Sequence, residues 1–477
     1  MDSNKKDIDV YEQEFPEILH SNSNIYSYGL GEFIMQVFSI AFGAYVFYFY
    51  EAEIGLDSWL VALGFIIYAI WNAVNDPLVG YICDRPFFFT KKWGRRFPWI
   101  ISSIFPSILF YVLLFSPPQV DPKEGQWIIF WWLVFSTCLF DTAFSFVFVN
   151  TNALFADKFR NADERRKVSG INMTLGYIGL AFGSIFPPLI INYGVKQSFV
   201  NQAWALVLVA LIAAIFMIPG MREDTETIER YLKAYKDLKE KEEKISFFGT
   251  FISAFKQKNF TAFVILFLGY AVLRICLLAS LLYGIRYILK LQAAAASLIM
   301  AGFLLGSLVS IPFWVWWARK KKDNRKVMII AAILSSIFAL PMIFLSDLIG
   351  WIIVLFLWGI GIAGMFIIRA VVFADIIDES VVETGKRNEG MYNGFYIFIN
   401  RLSIVIQAII FAVVHSLTGF VEGADTQSES AIWGIRLSMA VIPVFFLIVA
   451  TIIFWKLYDL KPQKLNDIKA KIKDLDL

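Results

Sequence analysis

Residues 60–83 read LVALGFIIYAIWNAVNDPLVGYIC, an apolar run that contains a single carboxylate, Asp76. Residues 84–96, DRPFFFTKKWGRR, follow as a turn that is rich in lysine and arginine. A charged side chain within an apolar run of this length is costly in a bilayer, so Asp76 indicates a functional role. Clustered cations beside such a run are typical of the cytoplasmic side of a membrane.

The composition indicates an integral membrane protein. The chain has 477 residues, of which 58% are hydrophobic and 17% charged, and its mean hydropathy is +0.63. Repeated apolar runs of about 20 residues each are long enough to cross a bilayer as helices, and they lack the alternation of a membrane β-barrel. The three cysteines show no pairing or metal spacing. Residues 1–24 are polar and lack the apolar core of a cleavable signal, so the first span is expected to target the chain.

The apolar runs predict an all-α membrane protein with twelve transmembrane helices in two six-helix halves. The predicted spans are residues 27–50, 59–83, 98–116, 127–155, 168–193, 199–218, 260–283, 294–317, 327–345, 349–373, 391–417 and 433–456. The corresponding domains are a cytoplasmic N-terminal segment (1–25), an N-terminal bundle (26–218), a cytoplasmic linker (219–258), a C-terminal bundle (259–456) and a cytoplasmic tail (457–477).

Charge placement predicts the orientation. Of the 43 lysines and arginines, 35 lie in the termini and the even-numbered loops, and only Lys123, Lys196, Arg286 and Lys290 lie in the odd-numbered loops. By the positive-inside rule, both termini and the central linker are expected to be cytoplasmic. The basic turn at 91–96 is matched by RKKKDNRK at 319–326 in the second half. Two such halves are the arrangement of a major-facilitator transporter, whose site lies at the midplane between them.

Seven ionisable residues fall within the predicted spans. The acids belong to the first half and the arginines to the second; they are Glu32, Asp76, Asp141, Arg274, Arg369, Arg401 and Arg436. Arg436 lies near a span end and is expected to reach the interface. The others should face a cavity or pair with one another. They suit either a binding cleft or interhelical salt bridges that hold the bundles together, and for Arg274 both interpretations stand.

The residues around Asp76 favour a cation site. Asn72 and Asp76 are four residues apart on one helical face, with Asn75 beside them, and Pro77 frees one backbone carbonyl upstream. Such oxygen ligands suit Na⁺, and the carboxylate could equally carry a proton. The alternative is a structural kink that docks against a neighbouring helix.

Two motifs carry a family resemblance. NDPLVG at 75–80 with the basic turn ending in WGRRFPW at 93–99, and ADIID at 374–378 followed by NEG at 388–390, resemble the signature of the glycoside–pentoside–hexuronide:cation symporters. The resemblance covers the whole chain in span order, although Arg96 and Phe97 are exchanged relative to the usual order of the family. LFDT at 139–142 and FYIFINR at 395–401 are similar to segments of the lysophosphatidylcholine symporters.

The resemblance implies the site residues. The cation site would comprise Asn72, Asn75, Asp76 and Ser145, with Asn72 replacing one of two acids found in the sugar-carrying members. The substrate site would include Gln36, Arg369 and Arg401. Two further candidates come from the sequence itself: Asp141, an acid within the fourth span, and Tyr396, one helical turn before Arg401. Gln36 and Phe148 stand where sugar-holding acids would fall, and Arg401 replaces a lysine. Losing acids and gaining arginines favours an anionic or zwitterionic substrate.

A cytoplasmic gate is also expected from the loops that carry the two motifs. Its candidate residues are Asp84, Arg85, Arg95, Asp375, Asp378 and Glu389. Opposite charges on the two halves would pair when the cytoplasmic side is shut, and such exposed pairs break at low cost. The alternative is that these loops are solvated and only set the topology.

The sequence therefore predicts a cation-coupled secondary transporter of the cell membrane that works by alternating access, with Na⁺ or H⁺ as the coupling ion and a sugar, glycoside or uronide as the substrate. The alternatives are a lysophospholipid symporter of the same fold, an uncoupled facilitator and a receptor that does not transport. No nucleophile–base pair, metal cluster or phosphate loop indicates an enzyme. We expect no cofactor, no nucleic-acid partner, contact with membrane lipids, and a monomer.

Overall fold

The computed structural model describes residues 18–238, 257–384 and 389–474, without the side chains of 236–238, 383–384, 389–397, 469 and 473–474. Within these ranges every regular element is a helix. The apolar helices are α1 (Asn22–Tyr48), α2 (Ser58–Cys83), α3 (Phe97–Leu113), α4 (Pro122–Lys158), α5 (Ala162–Ile185), α6 (Lys196–Met221), α7 (Lys258–Tyr283), α8 (Ala295–Lys321), α9 (Asn324–Ala339), α10 (Leu348–Thr384), α11 (Glu389–Thr418) and α12 (Glu429–Leu457). Two polar helices follow α6 and α12: the linker helix Thr225–Leu238 and the tail helix Pro462–Asp474.

Eleven of these helices, within the described residues, are long and apolar enough to cross a membrane. The remaining one, α3, is a shorter apolar helix of 17 residues in the place of the predicted third span. Seventeen residues rise about 26 Å, at the lower limit for a spanning helix. A helical membrane protein is thus confirmed, while the count of twelve spans stays a prediction.

The helices pack in two groups of six. In the first, α1 packs on α5 and α6, and α4 packs on α2 and α3. In the second, α7 packs on α12, and α10 packs on α8 and α9. The groups, called here the N-terminal and C-terminal halves, meet where α2 contacts α11, α1 contacts α7 and α5 contacts α8.

The two described chain ends lie at the same end of the helices. The backbone N–H of His20 donates to Glu164 at the start of α5, and that of Asp459 donates to Asn259 at the start of α7. We call this end the terminal end and the opposite one the distal end. The cytoplasmic location of the terminal end remains the prediction made from the charge distribution.

Local sequence signals explain several helix boundaries. Asp57 caps α2 by accepting hydrogen bonds from the N–H groups of Trp59 and Leu60. Asp121 caps α4, where Pro122 occupies the first helical position. Both follow the preference for a short acid at the N-cap, and α4 also follows the preference for proline at the first helical position.

The first helix of each half ends in the same unusual way. Helix α1 continues into a π-helical turn over Phe49–Ile54, and α7 continues into one over Gly284–Leu289. Each turn is followed by a left-handed residue, Gly55 at φ 87° and Lys290 at φ 53°. A π-helical turn carries an extra residue, and such turns are often found at functional sites.

Helices α8 and α10 cross closely because glycines face backbone at the crossing. A Cβ at Gly306 would overlap the carbonyl oxygen of Phe356, and one at Gly359 would overlap that of Phe303. Small residues at a crossing let membrane helices approach, which is the main source of their packing energy.

Gly306→Ala should therefore destabilise the protein, because its methyl group would force α8 away from α10. The expected loss is about 1–3 kcal/mol in the free energy of unfolding, as for other overpacked sites. It should appear as a lower melting temperature of the purified protein in detergent. Gly170→Ala is the control, since a Cβ there meets nothing within 4 Å. Equal melting temperatures of the two variants would contradict the tight crossing.

Candidate binding site

A cavity of about 340 Å³ lies between the two halves. Helices α1, α2, α4 and α5 contribute one wall, and α7 and α11 contribute the other. Its charged lining residues are Glu32, Asp76, Asp141, Arg274 and Arg401. The cavity therefore collects five of the seven ionisable residues that the sequence places within spans.

Asp76 connects the two halves at this cavity. Its Oδ1 accepts a hydrogen bond of 2.5 Å from the Ser145 hydroxyl on α4, and its Oδ2 lies 3.3 Å from Nη2 of Arg401 on α11. The side chain of Asp76 is 13% exposed and that of Arg401 25% exposed. Within the described contacts, Nε of Arg401 is buried without a hydrogen-bond acceptor. Arg401 thus neutralises Asp76 and keeps donor capacity for another group.

Asp141 forms a second acidic centre next to Asp76. It accepts hydrogen bonds from Nδ2 of Asn72 and, at 3.3 Å, from Nδ2 of Asn75. Asp141 is 3% exposed and Asn72 2% exposed. Among the described atoms, Oδ1 of Asn72 is buried without a hydrogen-bond partner. The site therefore presents two carboxylates and an unsatisfied amide oxygen.

Helix periodicity explains this arrangement. Asn72, Asn75 and Asp76 are spaced i, i+3 and i+4 on α2, and Asp141 and Ser145 are spaced i and i+4 on α4. Because α2 packs on α4, the two polar faces meet. Helix α2 continues through Pro77, which lies inside it.

The second acid is the main feature that the sequence interpretation missed. Asn72 stands where the resemblance implies an acid, and the sequence was therefore expected to supply only one carboxylate for a cation. In the structure Asp141, assigned to the substrate from sequence, lies against Asn72 and supplies a carboxylate from α4. The four-residue spacing between Asp141 and Ser145 was the available signal.

The rest of the cavity wall is aromatic and polar. Gln36 lines it and donates to Oε1 of Glu32 at 2.7 Å, and Phe148 lines it as well. The other aromatic residues that line the cavity are Phe42, Phe65, Tyr68, Phe140 and Phe144. Counting ionised side chains, the lining carries three carboxylates and two guanidinium groups.

Among the predicted substrate residues with described side chains, Arg369 is not found in this lining. The guanidinium of Arg369 lies 5.0 Å from the ring centroid of Phe366 and 5.7 Å from that of Phe267, outside the residues that line the cavity. Tyr396 belongs to α11, but its side chain lies outside the described residues. Arg274, for which sequence left two roles open, does line the cavity.

Four of the six predicted gate residues have described partners in their own halves. Asp84 lies 2.6 Å from Arg96, and Arg95 lies 2.7 Å from Asp157, both within the N-terminal half. Arg85, in the turn that follows α2, donates to the Tyr81 hydroxyl at the end of that helix. In the C-terminal half, Asp375 accepts from Asn324 at 2.7 Å, and Asp378 is half-buried on α10. The side chain of Glu389 lies outside the described residues.

The linker docks on the N-terminal half beside these residues. The carboxylate of Glu223 accepts hydrogen bonds from the backbone N–H groups of Arg95, Arg96 and Phe97 at 3.1, 2.7 and 3.0 Å, and so caps the start of α3. Burial raises the pKa of Glu223, and these N–H groups oppose the rise because they stabilise the charged form. Tyr231 stacks under the Arg95 guanidinium at 4.2 Å.

A family model described as MFS/sugar transport protein matches residues 27–461 of the chain. The chain belongs to the MFS/sugar transport protein family. The predicted major-facilitator resemblance is thereby confirmed, and the resemblance to the glycoside–pentoside–hexuronide:cation symporters is consistent with it.

Curated relatives from this family include both sugar and lipid carriers. The chain is 23% identical to the isoprimeverose transporter of Lactiplantibacillus pentosus, covering 95% of this chain and 93% of the relative. It is 21% identical to the sodium-dependent lysophosphatidylcholine symporter 1 of Gallus gallus, covering 88% of this chain and 83% of the relative.

A solved structure has a fold similar to that of this chain. The crystal structure of the nucleoside transporter NupG superposes with a TM-score of 0.60 and 12% identity, covering 92% of this chain and all of that one. Together with the family assignment, this fold makes the chain a multi-pass membrane protein and a secondary transporter, and not an enzyme.

The pair of Asp76 and Arg401 is expected to behave as a coupled unit in this MFS/sugar transport protein. Arg401→Gln should lower the free energy of unfolding by about 1–3 kcal/mol because Asp76 is left unpaired; the loss is smaller than for a fully enclosed pair, since both side chains reach the cavity. Adding Asp76→Asn should recover most of the loss. Melting curves of the purified single and double variants measure the coupling.

Arg274→Gln, alone and with Asp76→Asn, is the matched control at the other cavity arginine. It should show no recovery when Asp76 is replaced. Additive losses in the Asp76–Arg401 double variant would contradict the pair.

Proposed function

We propose that the chain is a cation-coupled symporter that carries an anionic sugar, such as a uronide or a glycoside with an acidic group, by alternating access. The observation that carries the cation part of this proposal is the unequal charge of the cavity, and the two arginines of its C-terminal wall support the anionic part. Three carboxylates face two guanidinium groups in a low-dielectric interior. One further positive charge balances them, and a bound Na⁺ or a proton is the simplest source.

The proposed cation ligands lie where α2 and α4 meet. They are the carboxylates of Asp76 and Asp141, the unsatisfied Oδ1 of Asn72, and the Ser145 hydroxyl. All are oxygen atoms, which hard cations prefer. A proton on Asp141 or Asp76 would satisfy the same charge balance. The Na⁺ and H⁺ alternatives therefore use one site.

Coupling follows from competition for Arg401. Without a cation, Arg401 neutralises Asp76 across the two halves at 3.3 Å. When a cation neutralises Asp76 instead, the guanidinium becomes available to the negative group of a substrate. Cation and substrate then stabilise the same loaded cavity, and each raises the affinity for the other by the same factor.

The proposed substrate class follows from the remaining lining. The planar guanidinium of Arg401 matches a carboxylate with two parallel hydrogen bonds. Arg274 adds a second positive charge on the same side of the cavity. Gln36, Asn400 and Gln407 can bind hydroxyl groups, and the aromatic wall can stack on a sugar ring. A volume of about 340 Å³ lies within the range of small-molecule pockets.

A lysophospholipid is the second candidate substrate. It is favoured by the likeness to the lysophosphatidylcholine symporters and by the combination of an aromatic wall with two arginines that would suit a phosphate-bearing headgroup. It would also require a path between helices for the acyl chain.

A ligand screen distinguishes the two substrate classes. We expect a uronide or acidic glycoside to raise the melting temperature of the purified protein more in Na⁺ than in choline medium, or more at low than at high pH if H⁺ is the ion. The matched neutral sugars should give smaller shifts because they leave Arg401 without an anion. A shift produced by lysolipids alone would favour the second candidate.

The cation assignment predicts the effect of removing each carboxylate. The protein should gain stability with Na⁺, by about 2.7 kcal/mol at a concentration about one hundred times the dissociation constant. Asp76→Asn and Asp141→Asn should each abolish most of this gain, or the corresponding pH-dependent gain. Asp163→Asn, at an exposed acid on the surface of α5, is the matched control and should keep it.

Uptake into proteoliposomes tests coupling itself. Accumulation should require an inward Na⁺ or H⁺ gradient and should be lost in Asp76→Asn. Equal uptake with and without both gradients would show an uncoupled facilitator. An ion-dependent gain that survives in both Asp76→Asn and Asp141→Asn would overturn the assigned site.

A further inference from the structure

A second cluster of buried ionisable groups lies at the distal end, away from the proposed cation site. The π-helical turn of α1 carries Glu51 and Glu53, and the π-helical turn of α7 carries Arg286. Helix α11 contributes His415, and the loop between α11 and α12 contributes Asp425. These groups join the two halves. None of them was assigned a role from sequence.

Glu51 and His415 form the centre of this cluster. The side chain of Glu51 is 0% exposed and that of His415 1% exposed. Nδ1 of His415 lies 2.9 Å from Oε1 and 3.0 Å from Oε2 of Glu51. The Tyr283 hydroxyl on α7 donates to the same carboxylate, and the backbone N–H of Gly423 donates to the Glu51 carbonyl at 3.2 Å.

The neighbouring arginine serves a different acid. Nη1 of Arg286 lies 2.9 Å from Glu53, and its Nη2 lies 3.0 Å from the exposed Asp425. Glu53 also accepts from the Tyr48 hydroxyl at 3.1 Å and from the N–H of Gly194 at 3.0 Å. Arg286 is thus shared by Glu53 and Asp425. Among the described partners of Glu51, only His415 can therefore neutralise its carboxylate.

The surroundings of the pair exclude water. Rings of Tyr283, Phe411 and Phe420 lie 5.4, 5.3 and 4.6 Å from the His415 ring. The titratable and charged groups around the pair come from α1, from the α5–α6 connection, from α7 and from the α11–α12 loop; they are Tyr48, Glu53, Tyr193, Tyr283, Arg286, Tyr287, Glu422 and Asp425.

A dry site of this kind requires a pair with no net charge. Two forms satisfy this requirement: a carboxylate with an imidazolium, or a carboxylic acid with a neutral imidazole. Each form holds one proton more than an ionised carboxylate beside a neutral imidazole does. When the pair is separated in water above a pH of about 6.5, the carboxylate is ionised and the imidazole neutral, so that proton is released.

We propose that Glu51 and His415 form a proton-binding site and that closure of the distal end takes up one proton. Opening the distal end must separate α1 from α11, because the pair joins them. The proton enters from and returns to the medium on the distal side. Because the proton returns to the side from which it came, it changes the fraction of molecules that are open on the distal side but does not drive transport. This distinguishes it from the proposed coupling cation.

The sign of the effect follows from the proton count. Below a pH of about 6.5 the closed and the open forms hold the same number of protons, and the ratio between them is constant. Above it the closed form holds one proton more. The ratio of closed to open molecules should then fall by up to about tenfold for each unit of pH.

Spin-label distance measurements on the full chain in nanodiscs test this proposal. Labels at Lys196→Cys and Glu429→Cys report the distal separation of the two halves, in a background where Cys83, Cys138 and Cys276 are replaced by serine. The closed-to-open ratio is measured from about pH 6 to about pH 9, at constant Na⁺ and without substrate. We expect it to fall with a limiting slope of one proton.

Four variants locate the proton. Glu51→Gln should remove the slope, because a neutral amide beside a neutral imidazole needs no proton. His415→Gln should keep the slope and move its onset below a pH of about 6.5, because the buried Glu51 carboxylate then needs the proton itself. His20→Gln should keep it, since His20 is the other of the two histidines in the chain. Asp141→Asn should also keep it, because Asp141 belongs to the cation site. Size-exclusion profiles and melting curves show which variants fold, and the double variant Glu51→Gln/His415→Gln, which should also lose the slope, replaces Glu51→Gln if that variant does not fold.

The outcomes separate this proposal from the proposed function. A ratio that does not change with pH, a slope that survives in Glu51→Gln, or a slope lost in His415→Gln or His20→Gln would overturn the distal proton site. A slope lost only in Asp141→Asn would also overturn it and would assign the proton to the coupling site. Failure of Na⁺ or H⁺ coupling in the uptake experiment would leave the distal result unaffected.

Discussion

Neutralising charge in a low-dielectric interior is the constraint on which this structure depends. The cavity holds Glu32, Asp76 and Asp141 on the N-terminal half and Arg274 and Arg401 on the C-terminal half. Neither half is neutral by itself at this depth. The attraction between Asp76 and Arg401 therefore holds the halves together around a space that still lacks one positive charge. The cavity therefore favours a ligand that supplies the missing positive charge.

The two ends of the molecule treat the boundary between the halves differently. At the distal end, Glu51 bonds to His415, Glu53 to Arg286 and Ser58 to Glu422, and each pair crosses from one half to the other. At the terminal end, the described partners of Asp84, Arg95 and Asp375 belong to the same half as the residue itself or to the linker after α6. The cavity thus lies next to a distal end that is fastened across the boundary. Rocking of two preformed bundles requires such contacts to be exchangeable.

Sequence reasoning predicted the features that depend on a single helix. The order of the apolar helices, the face shared by Asn72, Asn75 and Asp76, and the family all follow from hydropathy, spacing and motif. It could not assign Asp141 to Asn72, because that contact depends on how α4 is rotated against α2. The position of Arg369 also depends on helix rotation. The sequence interpretation placed it in the cavity, whereas packing places it beside Phe267 and Phe366.

Helix ends were the other source of error. Arg436 was expected to reach the interface, but it is buried and donates to the carbonyl oxygens of Met342, Ile343 and Leu345, where a cation suits the end of α9. Glu51 and Glu53 were not recognised as intramembrane acids, since the first span was expected to stop at residue 50. Irregular turns after long apolar runs leave no periodic signal from which to infer them.

The matched π-helical turns of α1 and α7 have a consequence for chain length. Each holds one residue more than an α-helical turn would, and the side chains beyond it depend on that surplus. Deleting one residue from either turn would rotate the next part of the chain by about 100° and would carry Glu53 or Arg286 away from its partner. All residues of the two turns are buried except the half-buried Arg286, so a change of register would disturb the packing of the whole turn. The number of residues in each of these two turns is therefore more tightly constrained than the amino-acid types that they contain.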